Sequence, residues 1–277
     1  MPVIAITHEM GSLAKDVALE LAQSMNLAVM RHEVVEHVAE KMHVHTSLIN
    51  RLRGGKADLV ERLTTDQERV AVYTAEEVFA LASQGNVVMR GWGATCLLRP
   101  IAHVVCVRVT RSMDKRIEWL MGQLETDDRD FASAEIHRSD SAHATRIREQ
   151  FGVTWADPHR YDLVLNTDRV SVPSCAELIR LLSTRPEFLE SETSRADLQN
   201  MTLQARIRAA LKDHPATQKV NITIDCRDGD VTLRGIVVNA QERPEAQKVV
   251  TEVPGVTRVS NELRPMAMSR LFPSDKY

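Results

Sequence analysis

Short apolar runs alternate with helical periodicity through the N-terminal part of the chain. Val3-Ile4-Ala5-Ile6 reads as a buried strand. Val17, Leu21 and Met25, with Leu19 and Ala22 beside them, recur at the spacing of a helix face. Ala75 to Ala82 predicts a further helix, closed by the turn signal Gln84-Gly85-Asn86, and Val87-Val88-Met89 predicts a second strand. The β-branched run His103-Val104-Val105-Cys106-Val107-Arg108-Val109 predicts a third strand. Tyr161 to Asn166 predicts a fourth, followed by a helix from about Ser174 to Leu182. Strands separated by helices imply βαβ units, hence an α/β domain whose mainly parallel sheet is covered by helices on both faces.

The pattern changes after residue 183. Residues 184–197 are polar and charged, without a clear apolar period, and read as a linker or a solvated helical connector. Residues 198–264 then form a unit of their own. Leu203, Ile207 and Leu211 mark a helix face, and Val220 to Ile224 alternates like a half-buried strand. Arg227-Asp228-Gly229-Asp230 supplies a tight turn, and Val231 to Val238 returns as its partner strand. Glu242 to Val253 is helical, Pro254-Gly255 ends it, and Val256 to Leu263 is a last strand. The order is α-β-β-α-β, and about 65 residues suffice for a modest core. The tail, 265–277, carries no pattern.

At 277 residues the chain is long enough for two domains. A net charge of −3 gives no reason to expect nucleic acid or an anionic membrane as partner. Cys96, Cys106, Cys175 and Cys226 are scattered, with no C-x-x-C spacing, and Cys96 and Cys106 read as small buried hydrophobes. Neither a secretory leader nor an apolar run of membrane-spanning length is present, so a reduced, cytoplasmic compartment is expected.

Candidate chemistry begins at the first strand–loop–helix, Thr7-His8-Glu9-Met10-Gly11-Ser12-Leu13-Ala14-Lys15-Asp16. Such a start aims free helix N–H groups at an anion. A working phosphate loop reads G-x-x-x-x-G-K-[ST], with glycines for close approach, Lys for charge and a hydroxyl for the metal. Here Leu13 and Ala14 stand where phosphate-gripping residues belong, and Lys15 lies one position beyond the usual lysine. A leucine in a left-handed conformation carries a penalty of about 1–2 kcal/mol. Arg53-Gly54-Gly55-Lys56 follows a helix rather than a strand, so it is expected to be a solvated turn. His37, His43 and His45 are expected at the surface rather than around a metal. Trp92 suits either stacking on a base or packing at a strand edge, and Trp155 is expected to pack the lid end on the core.

Two resemblances follow. Leu203, Ile207, Ala210-Leu211, Asp228-Gly229-Asp230-Val231-Thr232-Leu233-Arg234-Gly235, Ala246, Val250 and Pro254-Gly255-Val256 resemble a BON domain. That resemblance implies an interaction module for a lipid, protein or other ligand, with no catalytic residues. Glu9 with Gly11-Ser12, Gly91-x-Gly93-Ala94, and Phe151 to Pro158 followed by Tyr161 to Thr167 resemble the cytidylate kinase-like family of P-loop nucleoside monophosphate kinases. This second resemblance implies a nucleotide ligand, with ATP and Mg2+ as the phosphate donor. The family usually reads Ser-Arg-Glu-(aromatic)-Gly-Ser-Gly-Gly where this chain has Thr7 to Ala14, and Asp-Arg-Glu where it has Arg31-His32-Glu33. It usually reads Gly-Arg-Gly where this chain has Gly91-Trp92-Gly93, and Asp-Arg-x-Arg where it has Asp140-Ser141-Ala142-His143. Phosphoryl transfer depends on cations facing the transferred group, so these losses predict a degenerate site. Compensation is offered by Arg90, Arg138, Arg146 and Arg148, and by His143 if it is cationic at mildly acidic pH. The nucleotide-site candidates are Gly11, Ser12, Lys15, Asp16, Arg90, Arg138 and Asp140. Three functions stay open: a weak or non-catalytic nucleotide-binding sensor or adaptor, an active CMP-type kinase, and a structural or membrane-peripheral protein acting through the BON unit.

Overall fold

A computed structural model describes residues 1–30 and 32–266; Arg31 and the end of the patternless tail, 267–277, lie outside the described residues. The chain divides into two compact units, Met1–Leu198 and the residues from Gln199 on. The first contains β1 (Val3–His8), α1 (Ala14–Met25), β2 (Ala28–Val29), α2 (Glu33–Met42), α3 (Thr46–Arg53), α4 (Leu59–Thr64) and α5 (Gln67–Gln84). It continues with β3 (Val87–Arg90), α6 (Ala94–Leu97), β4 (Val104–Thr110), α7 (Met113–Leu124), α8 (Arg129–Phe151), β5 (Leu163–Asn166) and α9 (Val172–Ser183).

The sheet of this unit is parallel, in the order β2-β3-β1-β4-β5. Its central strand is β1, whose Val3, Ile4, Ala5 and Ile6 are all buried, as a strand covered on both faces requires. Ile4 and Ile6 pack with Val17, Leu21 and Ala22 of α1 and with Cys175 and Ile179 of α9. Strand order reverses about β1, so the segments leaving β1, β3 and β4 gather at one end of the sheet, where open α/β sheets bind ligands. A smaller cluster of Ile117, Leu120, Ala132 and Ile136 joins α7 to α8 beside that end, with Met10 and Trp119 against it.

The stretch read as linker or connector contains a single 3-10 turn at Pro186–Phe188 and then enters α10 (Glu192–Asp213). Ser191 and Ser194 cap that helix reciprocally, each side-chain oxygen accepting the other's amide. The second unit continues with β6 (Thr223–Arg227), β7 (Asp230–Val237), α11 (Glu242–Thr251) and β8 (Arg258–Pro265). β6 and β7 form an antiparallel hairpin, and β8 pairs parallel to β7. Asp228 (φ 51°) and Gly229 (φ 86°) are both left-handed, as a two-residue primed turn demands. Two strand boundaries differ from expectation. Val220 and Ile222 are buried but precede β6, because Gly235 of β7 leaves an open face against which Ile222 packs instead of pairing. The last strand starts at Arg258, because the turn after α11 runs on through Val256, whose amide bonds Val253. Among the described residues no helix is long and apolar enough to cross a membrane.

Candidate functional site

The loop between β1 and α1 is held by its neighbours. Glu9 accepts from Arg108 Nη2 at 2.7 Å, from Thr110 Oγ1 at 2.6 Å and from the Arg111 amide at 3.2 Å. It therefore staples the end of β1 to β4. Arg116 of α7 donates to the Met10 carbonyl at 2.7 Å. Gly11 has φ 79°, and a Cβ there would lie 3.1–3.2 Å from Trp119 and Arg116, so only glycine fits. Ser12 is buried; its carbonyl accepts from Thr167 Oγ1 at 3.0 Å, but its own hydroxyl has no partner. Leu13 adopts φ 61° and ψ 16°, the left-handed shape of a glycine, and precedes α1 without capping it. Ala14 is buried in the first turn, while Lys15 and Asp16 are exposed.

A cationic cluster faces this loop. Arg53 is the last residue of α3, four residues beyond the fully buried Ile49 and so on the same helix face. Its guanidinium lies 4.1 Å above the Trp92 ring and leaves no room for a Cβ at Gly91. Arg146 of α8 donates to the Arg53 carbonyl. Arg90 ends β3 and donates from Nη1 to His8 Nε2 at 2.9 Å. Arg108, Arg111, Arg116 and Arg138 each form a salt bridge to a carboxylate, whereas among the described residues Arg53, Arg90 and Arg146 form none. Burial, then the charges of Arg90 and Arg146, push Arg53 down to about 10. Burial alone lowers Arg146, and burial lowers Arg90 despite the nearby charge of Asp16.

The candidates from sequence are therefore divided. Gly11, Ser12, Lys15 and Asp16 lie on the β1–α1 loop and the start of α1, and Arg90 is in the cluster. Arg138 is tied to Glu135 by a double hydrogen bond and to the Gly54 carbonyl. Asp140 pairs with Arg116. Arg53 corrects the expectation of a solvated turn at Arg53-Gly54-Gly55-Lys56: the glycines do end α3, but the arginine side chain turns inward, a placement its spacing from Ile49 encodes. Trp92 packs under Arg53. Trp155 is buried and donates to Thr7 Oγ1 at 2.9 Å, with Arg108 stacked on it at 4.4 Å. His143 is not a cation here: burial, then the charges of Arg146, Arg53 and Arg108, push it down to about 3. His37 bonds Glu76 at 3.0 Å, and His45 caps α3 through the Ser47 amide.

The second unit has a charged strip on β7, where Arg234 bridges Asp225 and Glu262. Ile236 and Val238 are exposed beyond it, at 64% and 76%.

The cytidylate kinase-like family model matches residues 3–169, and the BON domain model matches residues 200–264. Among solved structures, an uncharacterized protein from Eubacterium ventriosum has the same fold at a TM-score of 0.52, with 18% identity over 67% of this chain and 100% of that one. Shikimate kinase from Bacteroides thetaiotaomicron matches at a TM-score of 0.41, with 16% identity over 65% of this chain and 97% of its own. None of the curated proteins compared with the chain matches it. With its N-terminal sheet, its phosphate-loop segment and the family match over most of its length, the chain belongs to the cytidylate kinase-like family and carries a BON domain fused behind the kinase-like fold.

Proposed function

We propose that residues 1–183 bind the phosphate of a nucleoside monophosphate in the Arg53–Arg90–Arg146 cluster as a weak or non-catalytic sensor. Residues 198–264 then relay that state to a lipid, protein or other ligand of the BON domain. One observation carries this reading: three half-buried guanidiniums converge without a salt bridge among the described residues, Asp16 alone acting on Arg90 from a distance. Uncompensated buried charge is costly, and a bound dianion removes the cost. The donor side supports the non-catalytic part. Ala14 holds the place of the phosphate-loop lysine and Lys15 the place of the metal-binding hydroxyl. These residues do not fit ATP with Mg2+ in a transfer geometry, so no transfer step is assigned. Four free cysteines suit the reduced cytoplasm as the place of work.

Thermal shift of the full chain with CMP and with ATP tests the reading. CMP at about 100 times its Kd is expected to add roughly 2.7 kcal/mol, a rise of several degrees. Arg146→Ala is expected to lose that rise. No shift with CMP at millimolar concentration refutes the site. A second reading, an active kinase, is favoured by Lys15, exposed on the first turn of α1. Turnover of CMP by ATP at roughly 1–100 per second would establish it instead.

A further inference from the structure

Two imidazoles stand among the arginines. His8 Nε2 lies 2.9 Å from Arg90 Nη1. A guanidinium only donates, so Nε2 is the acceptor and His8 carries its proton on Nδ1. That Nδ1 is buried and has no hydrogen-bond partner. His143 presents a buried Nε2 that has none either, and its ring stands edge-on to Trp155 at 4.4 Å. Buried polar atoms are almost always satisfied, so two orphans beside one cationic cluster point to a ligand that offers acceptor oxygens.

The charges around the pair come from several elements. Arg90 of β3, His143 of α8 and Arg53 of α3 face His8. Arg146 of the same helix, Arg53 of α3 and Arg108 of β4 face His143. Asp16 of α1 acts on Arg90, and Glu9 is taken up by Arg108. Burial first, and the positive field of these arginines second, hold both rings neutral.

We propose that His8 and His143 complete the phosphate site, His8 as a neutral Nδ1–H donor and His143 as the group that takes up one proton when a tetrahedral dianion binds. The dianion is the phosphate of a nucleotide or a free oxyanion. The proton comes from solvent and sits on His143 Nε2, which then donates to a ligand oxygen; no bond to the ligand forms or breaks. A dianion reverses the field that the arginines impose. The titration of His143 then moves up from about 3 toward its ordinary 6.5, while the burial penalty remains. The sign follows: a group whose pKa rises on binding makes binding tighter as pH falls through the bound value. His8 does not follow, because protonating Nε2 breaks its bond from Arg90.

The proposal rests on the cluster being a phosphate site, and the test separates the two. Long-range proton–nitrogen spectra of the full chain are recorded at roughly pH 6, where an ordinary imidazole is poised. CMP, inorganic phosphate and sulfate are added in turn, with His143→Gln and His8→Gln for assignment. The expected result is a shift of His143 toward the imidazolium pattern in the complex and an unchanged neutral pattern for His8. Sulfate does not titrate in this range, so calorimetry with sulfate in buffers of different ionisation enthalpy counts protons taken up by the protein alone. Uptake of a fraction of a proton at that pH, growing as pH falls, is expected, and its loss in His143→Gln. A response to CMP without one to sulfate or phosphate identifies a nucleotide as the ligand; equal responses identify a free oxyanion. A neutral His143 in a saturated complex, or uptake that persists in His143→Gln, overturns the proposal while leaving the phosphate site standing. Absence of binding by all three anions overturns both.

Discussion

Replacing Arg53 by methionine is expected to stabilise the kinase-like unit while removing its affinity for phosphate. Arg53 falls from its ordinary guanidinium range to about 10, chiefly through burial and then through Arg90 and Arg146. That difference corresponds to about 3 kcal/mol against the charged form in the folded state. Water reaching the half-buried side chain reduces it to about 1–2 kcal/mol. The sign is that of a base whose folded value lies below its unfolded value. The penalty is fully present below pH 10 and fades only as pH rises through the folded value toward the ordinary one. At neutral pH the whole penalty applies. Against it stands the stacking of Arg53 on Trp92 at 4.1 Å, a contact of about 0.5–1 kcal/mol that methionine partly keeps. The bond from Arg146 goes to the Arg53 carbonyl and survives the change. The net expectation is a gain of about 1 kcal/mol without ligand. Trp92, Trp119 and Trp155 all lie in the first unit, so urea unfolding followed by tryptophan fluorescence reports on that unit. CMP should then stabilise the native chain and leave Arg53→Met unchanged. A loss of more than about 1 kcal/mol in Arg53→Met without ligand would refute the view of this cluster as uncompensated charge.

Leu13→Val places a β-branched residue at φ 61° and is expected to cost more than about 1 kcal/mol in urea unfolding, whereas Leu13→Gly should stay within about 1 kcal/mol. Glu9→Gln leaves Arg108 without its ion-pair partner and Arg116 with Asp140 alone, and is expected to cost about 3 kcal/mol by the same assay. Glu135 is held down to about 2 by hydrogen bonds from Arg138 and then Lys56. Its contribution is present above its ordinary 4.5 and lost as pH falls through 2. Exposure limits the effect, so Glu135→Gln should cost under about 1 kcal/mol at neutral pH and nothing near pH 2, which acid titration of the urea midpoint checks.

The parts of the fold that were legible in the sequence are those where one element settles its own form. β1 opens with a continuous apolar run, and β4 is a β-branched one interrupted by Arg108, so both read as buried strands. Asp228-Gly229 fixes a hairpin by itself. α8 is different: over Arg129–Phe151 only Ala132, Ile136 and Ile147 are buried, so its apolar period is nearly silent. It owes its position to its ends and flanks, with Asp128 capping it and Arg138 and Arg146 donating to the carbonyls that end α3. The same difference governs the site. The phosphate loop is contiguous, so its departures at Leu13 and Ala14 can be read directly. The cluster is contributed by the ends of α3 and β3 and by the middle of α8. No motif joins Arg53, Arg90 and Arg146, and each alone looks like a surface arginine. His8 and His143 stand where the family pattern has arginine, and the sequence offers His143 as compensation only in its cationic form. In the folded chain they stand half-buried against the remaining arginines, each with a buried, unpartnered nitrogen. A site that had merely decayed would be free to neutralise its arginines with new carboxylates. Three unpaired guanidiniums and two orphaned imidazole nitrogens are a cost to folding, and a chain that keeps them together is better explained by a phosphate ligand than by drift.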